Sequence, residues 1–79
     1  MKLDILSPER LLFSGEVSKV VLPGAAGSFE VLKNHASLIS VLKSGDVIFF
    51  DDAGGEEKTV SIKGGFVEVK ENVISVCAE

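Results

Sequence analysis

The chain has 79 residues, enough for one domain, residues 1–79, with a margin that is thin because a domain this small buries only about 60% of its unfolded surface. Hydrophobic residues make up 46% of it, which is ample for a core, and five Phe supply all the aromatic bulk since Trp and Tyr are absent. A net charge of −4 with eight scattered basic residues argues against nucleic acid as a partner, one cysteine excludes an internal disulfide, and no run comes near the roughly 20 apolar residues of a membrane span.

Along the chain the hydrophobic period is two rather than 3.6, in short Val-, Ile- and Phe-rich runs broken by Gly, Pro, Asn or Asp. Lys2 to Leu6 alternates, with Leu3 and Ile5 inward, and Ser7-Pro8 stops it. Leu11 to Ser14 resumes extended structure, and Gly15 reads as a bulge or tight bend. Glu16 to Leu22 follows, with Val20 and Leu22 on one face and Val21 on the other. Pro23-Gly24 and Gly27 make a loop, after which Ser28 to Leu32 is a short strand with Phe29 and Val31 on one side.

Lys33-Asn34 reads as a turn, because Asn tolerates the left-handed backbone. Ser37 to Leu42 is the next strand, Ser44-Gly45-Asp46 another turn, and Val47 to Phe50 an apolar strand. The polar stretch from Asp51 to Glu57 is a hairpin loop. Lys58 to Lys63 alternates with Val60 and Ile62 inward. Gly64-Gly65 is a turn or bulge, Phe66 to Lys70 places Val67 and Val69 inward, Glu71-Asn72 turns the chain, and Val73 to Ala78 ends it. No segment makes a convincing amphipathic helix, and there is no repeat or linker. The pattern predicts an all-β, two-layer antiparallel sandwich of about ten short strands.

Few residues suggest chemistry. Zinc needs about four Cys, His, Asp or Glu ligands, and this chain has one His and one Cys far apart. Cys77 reads as a small buried strand residue. Asp51, Asp52, Glu56 and Glu57 read as a solvated hairpin tip, without the cleft that would split carboxylate pKa values and without the spacing of a calcium loop. Gly24-Gly27 and Gly64-Gly65 continue into no phosphate-binding motif and no helix. Lys63 and Lys70 admit a swinging-arm carrier reading, as in biotinyl or lipoyl domains, although "EVKEN" lacks their lysine context. A ligand-binding sandwich would need an aromatic platform that a chain without Trp or Tyr does not offer. His35 stands among Val31, Leu32, Ala36, Leu38 and Ile39, a composition suited to a docking patch at the rim of a sandwich.

The ordered set of Phe13 and Gly15; Pro23, Gly24 and Gly27; Leu32, His35, Ala36 and Leu38; Leu42, Lys43 and Gly45; Gly64 to Val69; and Ile74 to Ala78 resembles the amino-terminal domain of the epsilon subunit of F-type ATP synthase, delta in mitochondria. The likeness runs the length of the chain. It departs where Lys33 and Ser37 replace prolines that flank the family's histidine, and where Ser28 stands for an acidic residue and Glu30 for a glycine.

The resemblance implies a ten-stranded sandwich in the central stalk, a rotor element linking the gamma subunit to the c-ring during proton-driven (or sodium-driven) ATP synthesis. It implies no catalytic residue, cofactor, metal or small-molecule substrate, and contact with the membrane only through the complex, at the cytoplasmic face of the plasma membrane or the equivalent face of an organelle. Carried over position by position, Ser7, His35 and Ser40 would face gamma, and Ala26, Gly27, Ser28, Phe29 and Glu30 would face the c-ring. The family's carboxy-terminal helical hairpin would begin where this chain ends, at Glu79, so the expectation is a short or truncated form without helix-based inhibition or ATP binding.

Overall fold

A computed structural model describes residues 1–79. It contains six strands and no helix: β1 (Lys2–Leu6), β2 (Leu11–Leu22), β3 (Phe29–Leu32), β4 (Leu38–Asp51), β5 (Glu57–Lys70) and β6 (Val73–Ala78). The strand order is β1-β6-β5-β4-β2-β3, and β1 also pairs with β2, so five of the strands close into a ring and β3 lies beside the second half of β2. Every pairing is antiparallel except β1 with β6.

The count is six rather than about ten because three predicted breaks lie inside continuous strands. β2 runs through Gly15, which pairs with Leu3 in register and makes no bulge. β4 runs through Ser44-Gly45-Asp46, and β5 through Gly64-Gly65. What the sequence signals at these places is a change of layer. In β4 the inward residue is Leu42 before Ser44, and Val47 and Phe49 after it. In β5 it is Ile62 before Gly64, and Val67 and Val69 after it. In β2 the switch falls at Ser18, where the register with β4 slips by one residue between Val17 and Lys19, the bulge that the sequence reading placed at Gly15. An odd step in an alternating pattern inverts which face is buried, so each long strand serves one layer with its first half and the other with its second.

β4 and β5 make this change together without losing register, with Leu42 opposite Gly65 and Gly45 opposite Ile62. The backbone at Gly64 and Gly65 has φ of 150° and 137°, a region that L side chains rarely adopt, which is why glycine stands there. A Cβ on Gly65 would also fall onto the Cys77 carbonyl oxygen of the neighbouring strand.

The two layers enclose one core of fifteen buried hydrophobic residues, which includes Leu3, Ile5, Val20, Leu22, Val31, Phe49, Val67 and Ile74. No polar side chain is buried with them. Phe13 packs on Phe49 with ring centroids 4.3 Å apart. The predicted turns at 33–34 and 71–72 are present: Asn34 has φ of 66°, and Glu71 and Asn72 have φ of 50° and 62°, the pair of positive values of a two-residue type I′ hairpin. Cys77 is half-buried rather than buried, because Val76 and Ala78 on either side of it take the inward positions.

Candidate functional site

The layer formed by β1, β6, the second half of β5 and the first halves of β4 and β2 turns one face outward. Residues directly opposite one another in a sheet share a face. Val41 is opposite Phe66, Phe66 opposite Cys77, Cys77 beside Leu6, and Leu6 opposite Leu11. An unbroken apolar row therefore crosses five strands, about 19 Å at a strand spacing of about 4.8 Å. Four of its five members are exposed, Val41 65%, Leu11 54%, Phe66 49% and Leu6 40%, and Cys77 between Phe66 and Leu6 is half-buried. Ile39, at 73%, extends it one row further on β4.

Polar groups border the row. On one side Glu68, Ser75, Asp4 and Ser14 follow in register, with the Ser14 hydroxyl donating to Asp4 Oδ1 at 2.6 Å and Lys2 Nζ 3.7 Å from the same oxygen. On the other side, beyond Leu6 and Leu11, the Ser7–Arg10 turn closes on itself, the Ser7 N–H and hydroxyl both donating to the Arg10 carbonyl and the Arg10 N–H to Ser7 Oγ. An apolar centre within a polar rim is the composition of a docking surface.

The three positions read as facing gamma do not form one cluster. Ser7 follows Leu6 at the far end of β1 and is half-buried. Ser40 precedes Val41, but its alternation aligns it with Leu38 and Leu42, and it lies half-buried opposite Val67. His35 is at the opposite end of the face from Ser7, in the exposed segment between β3 and β4. The loop is turned by the left-handed Asn34 and by the His35 N–H donating to the Leu32 carbonyl at 3.1 Å. His35 Nδ1–H donates to the Ala36 carbonyl at 2.7 Å, which leaves Nε2 directed away from this internal bond.

Sequence reasoning passed over Leu6, Leu11, Val41 and Phe66. The signal was present: "LISVL" is apolar at both parities, and Leu6 and Phe66 break the alternation set by Leu3-Ile5 and Val67-Val69. A strand apolar on both faces either is sandwiched or has something to bind.

The loop after β2 is fastened to the middle of β4. Gly24 bridges to Leu42, the Ala25 N–H donates to the Val41 carbonyl and the Lys43 N–H to the Pro23 carbonyl, both at 2.9 Å. Beyond that anchor Ala26, Gly27 and Ser28 are exposed, and Phe29 packs half-buried against the core. Glu30 is already on β3, paired with Lys19 at 3.2 Å on the other layer.

Elsewhere the geometry offers little chemistry. No three His, Cys, Asp or Glu side chains converge where a metal could sit. The acidic hairpin is organised by Asp51, whose Oδ1 accepts the Ala53 N–H at 2.8 Å and whose Oδ2 lies 3.3 Å from Lys58 Nζ. These contacts, the Ala53 bond first and Lys58 second, hold its carboxyl below the ordinary value of 3.8. Lys70 is exposed at the end of β5, beside the Glu71-Asn72 turn.

The whole chain, residues 1–79, matches the family described as ATP synthase, Delta/Epsilon chain, beta-sandwich domain. Among curated proteins it is 40% identical over 79 residues to an ATP synthase epsilon chain of Leptospira interrogans, and spans 61% of that relative's length. It is 47% identical over 72 residues to the ATP synthase epsilon chain of Chlorobium limicola, covering 90% of this chain and 80% of that one. The fold is similar to chains in cryo-EM structures of two mitochondrial ATP synthases. One, from Euglena gracilis, shows the OSCP/F1/c-ring portion: TM-score 0.87, 22% identity, 96% of this chain and 48% of that one. The other, from Tetrahymena thermophila, shows the central stalk and c-ring: TM-score 0.76, 17% identity, 99% of this chain and 62% of that one.

Proposed function

From the premise that this chain belongs to the ATP synthase delta/epsilon family, we propose that it is a non-catalytic rotor element of the central stalk, joining the gamma subunit to the c-ring. The observation that carries the docking role is the apolar row Val41–Phe66–Cys77–Leu6–Leu11, which no part of the chain covers and which spans a whole layer of the sandwich. Gamma binds there, with Ser7 and Ser40 adjoining the row in sequence and His35 at the other end of the same face, beside the turn that follows β5. The segment from Ala26 to Glu30, the end of the loop and the start of β3, faces the c-ring, held at a fixed distance from the row by the bridge between Gly24 and Leu42.

The physics of the task is mechanical. A subunit that turns with the shaft must carry load between two interfaces without shearing. A ring of five hydrogen-bonded strands, with one core and no buried polar side chain, resists that deformation. Binding follows from burying the row within an interface above about 1,200 Å². A net charge of −4 favours basic surfaces on the partners. The protein is peripheral to the membrane, which it meets through the complex.

Titration calorimetry of the chain against the gamma subunit of the same synthase tests this. The chain binds, Phe66→Lys abolishes the heat, and His35→Asp weakens binding. An absence of heat with the unmodified chain, or full-strength binding by Phe66→Lys, overturns the docking role.

A further inference from the structure

We propose that Asn72 is a positioning residue for docking: its side chain latches the β3–β4 loop, and with it His35, to the turn between β5 and β6. The proposal rests on the reading of the outward face as a gamma-binding surface.

Three elements meet at Asn72. Its backbone carbonyl accepts the Lys2 N–H at 2.9 Å, tying the start of β1 to the turn. Its side-chain Oδ1 accepts the Asn34 N–H at 2.7 Å, and its Nδ2 donates to Asn34 Oδ1 at 3.0 Å. The two amides are complementary in only one orientation, because a main-chain N–H requires the oxygen of Asn72 to face it.

This pair is what fixes the loop. Residues 33–37 are all exposed, and their remaining hydrogen bonds are local, from the His35 N–H to Leu32 and from the His35 ring to Ala36. The only bonds from these residues to a distant part of the chain are the two to Asn72, 38 positions away. Both asparagines hold positive φ, 66° at Asn34 and 62° at Asn72, so each turn presents its side chain to the other. A loop ordered before contact pays less conformational entropy when a partner immobilises it, so the latch acts on affinity through His35 rather than by touching gamma.

Substitutions separate this role from one in folding. Glycine adopts φ of about +60° without penalty and keeps the carbonyl that Lys2 uses, so Asn72→Gly removes both latch bonds and leaves the turn. Asn34→Gly keeps the N–H bond and loses the side-chain one, whereas Asn72→Asp keeps both, because the Asn34 amide can turn to donate its Nδ2 to the carboxylate. Hydrogen exchange at the Asn34 amide, the thermal midpoint and calorimetric affinity for gamma are measured on all four chains. Asn72→Gly exposes the Asn34 amide and binds gamma about tenfold more weakly, with a near-normal thermal midpoint, Asn34→Gly falls between it and the parent, and Asn72→Asp stays close to the parent. Gamma affinity unchanged in Asn72→Gly overturns the latch, as does unchanged affinity in Asn34→Gly if the first variant does not fold. Failure of the unmodified chain to bind gamma overturns the docking reading on which the latch rests, a result distinct from either.

Discussion

Phe66 stands directly opposite Val41 on the outward face of the β4–β5 hairpin, and both side chains are about half exposed or more, with no residue of the chain above them. Cross-strand apolar pairs of this kind add only about 0.2–1 kcal/mol to a sheet, whereas an aromatic anchor desolvated by a partner is worth 2 kcal/mol or more at an interface, by order of magnitude. Phe66→Ser is therefore expected to lower unfolding stability by less than about 1 kcal/mol while weakening gamma binding at least about 30-fold. Chemical denaturation and calorimetry on the same preparation give the two numbers.

Gly65 is expected to tolerate nothing larger. Alanine there meets two penalties at once, a backbone φ of 137° and a Cβ against the Cys77 carbonyl. Gly65→Ala should cost about 3 kcal/mol or more, while Gly54→Ala, in an open hairpin with no atom near the added carbon, should change stability by less than about 0.5 kcal/mol. Urea midpoints of the two variants test the contrast.

The core has few large side chains, so each matters. Phe49 is 1% exposed and packs against Phe13 with the rings tilted by 44°. Phe49→Ala is expected to cost about 3–5 kcal/mol, comparable with the whole stability of a domain this small, and to leave the chain largely unfolded at 37 °C by circular dichroism.

Acid should act through Asp51. Its folded-state pKa is depressed below 3.8, first by the Ala53 N–H and then by Lys58, so the stability it contributes is present above about pH 3.8 and is lost as the pH falls through the lower folded value. Asp51→Asn should be less stable than the parent at neutral pH, with the gap closing on acidification below 3.8. Thermal midpoints of both chains between pH 7 and pH 2 measure it.

Much of this was legible in the residues. Alternation placed Leu3, Ile5, Val20, Leu22, Val67 and Val69 inward, and Asn34 and Asn72 marked their turns, because a period of two and a tolerance for positive φ are local properties. The strand count was not legible. Gly64-Gly65 and Ser44-Gly45 carry the composition of turns, yet here glycine lets a continuous strand change layers, and only the partner strand across the ladder distinguishes the two uses. The apolar row was hidden for the same reason. Leu6, Leu11, Val41, Phe66 and Cys77 are scattered through the chain and become neighbours only through the closed ring and the parallel pairing of β1 with β6.

That geometry places one thiol in the middle of the row, with Phe66 on one side and Leu6 on the other. Cys77 is the only cysteine in the chain and is half-buried, so its alkylation by a small maleimide reports on the face alone. Its rate is to be measured in the free chain and in the complex with gamma at saturating concentration. Docking through the row predicts at least about a tenfold slowing in the complex, together with loss of gamma binding by the pre-alkylated chain. An unchanged rate in a complex shown by calorimetry to be fully formed would contradict it, and would move the gamma-binding surface to another part of the molecule.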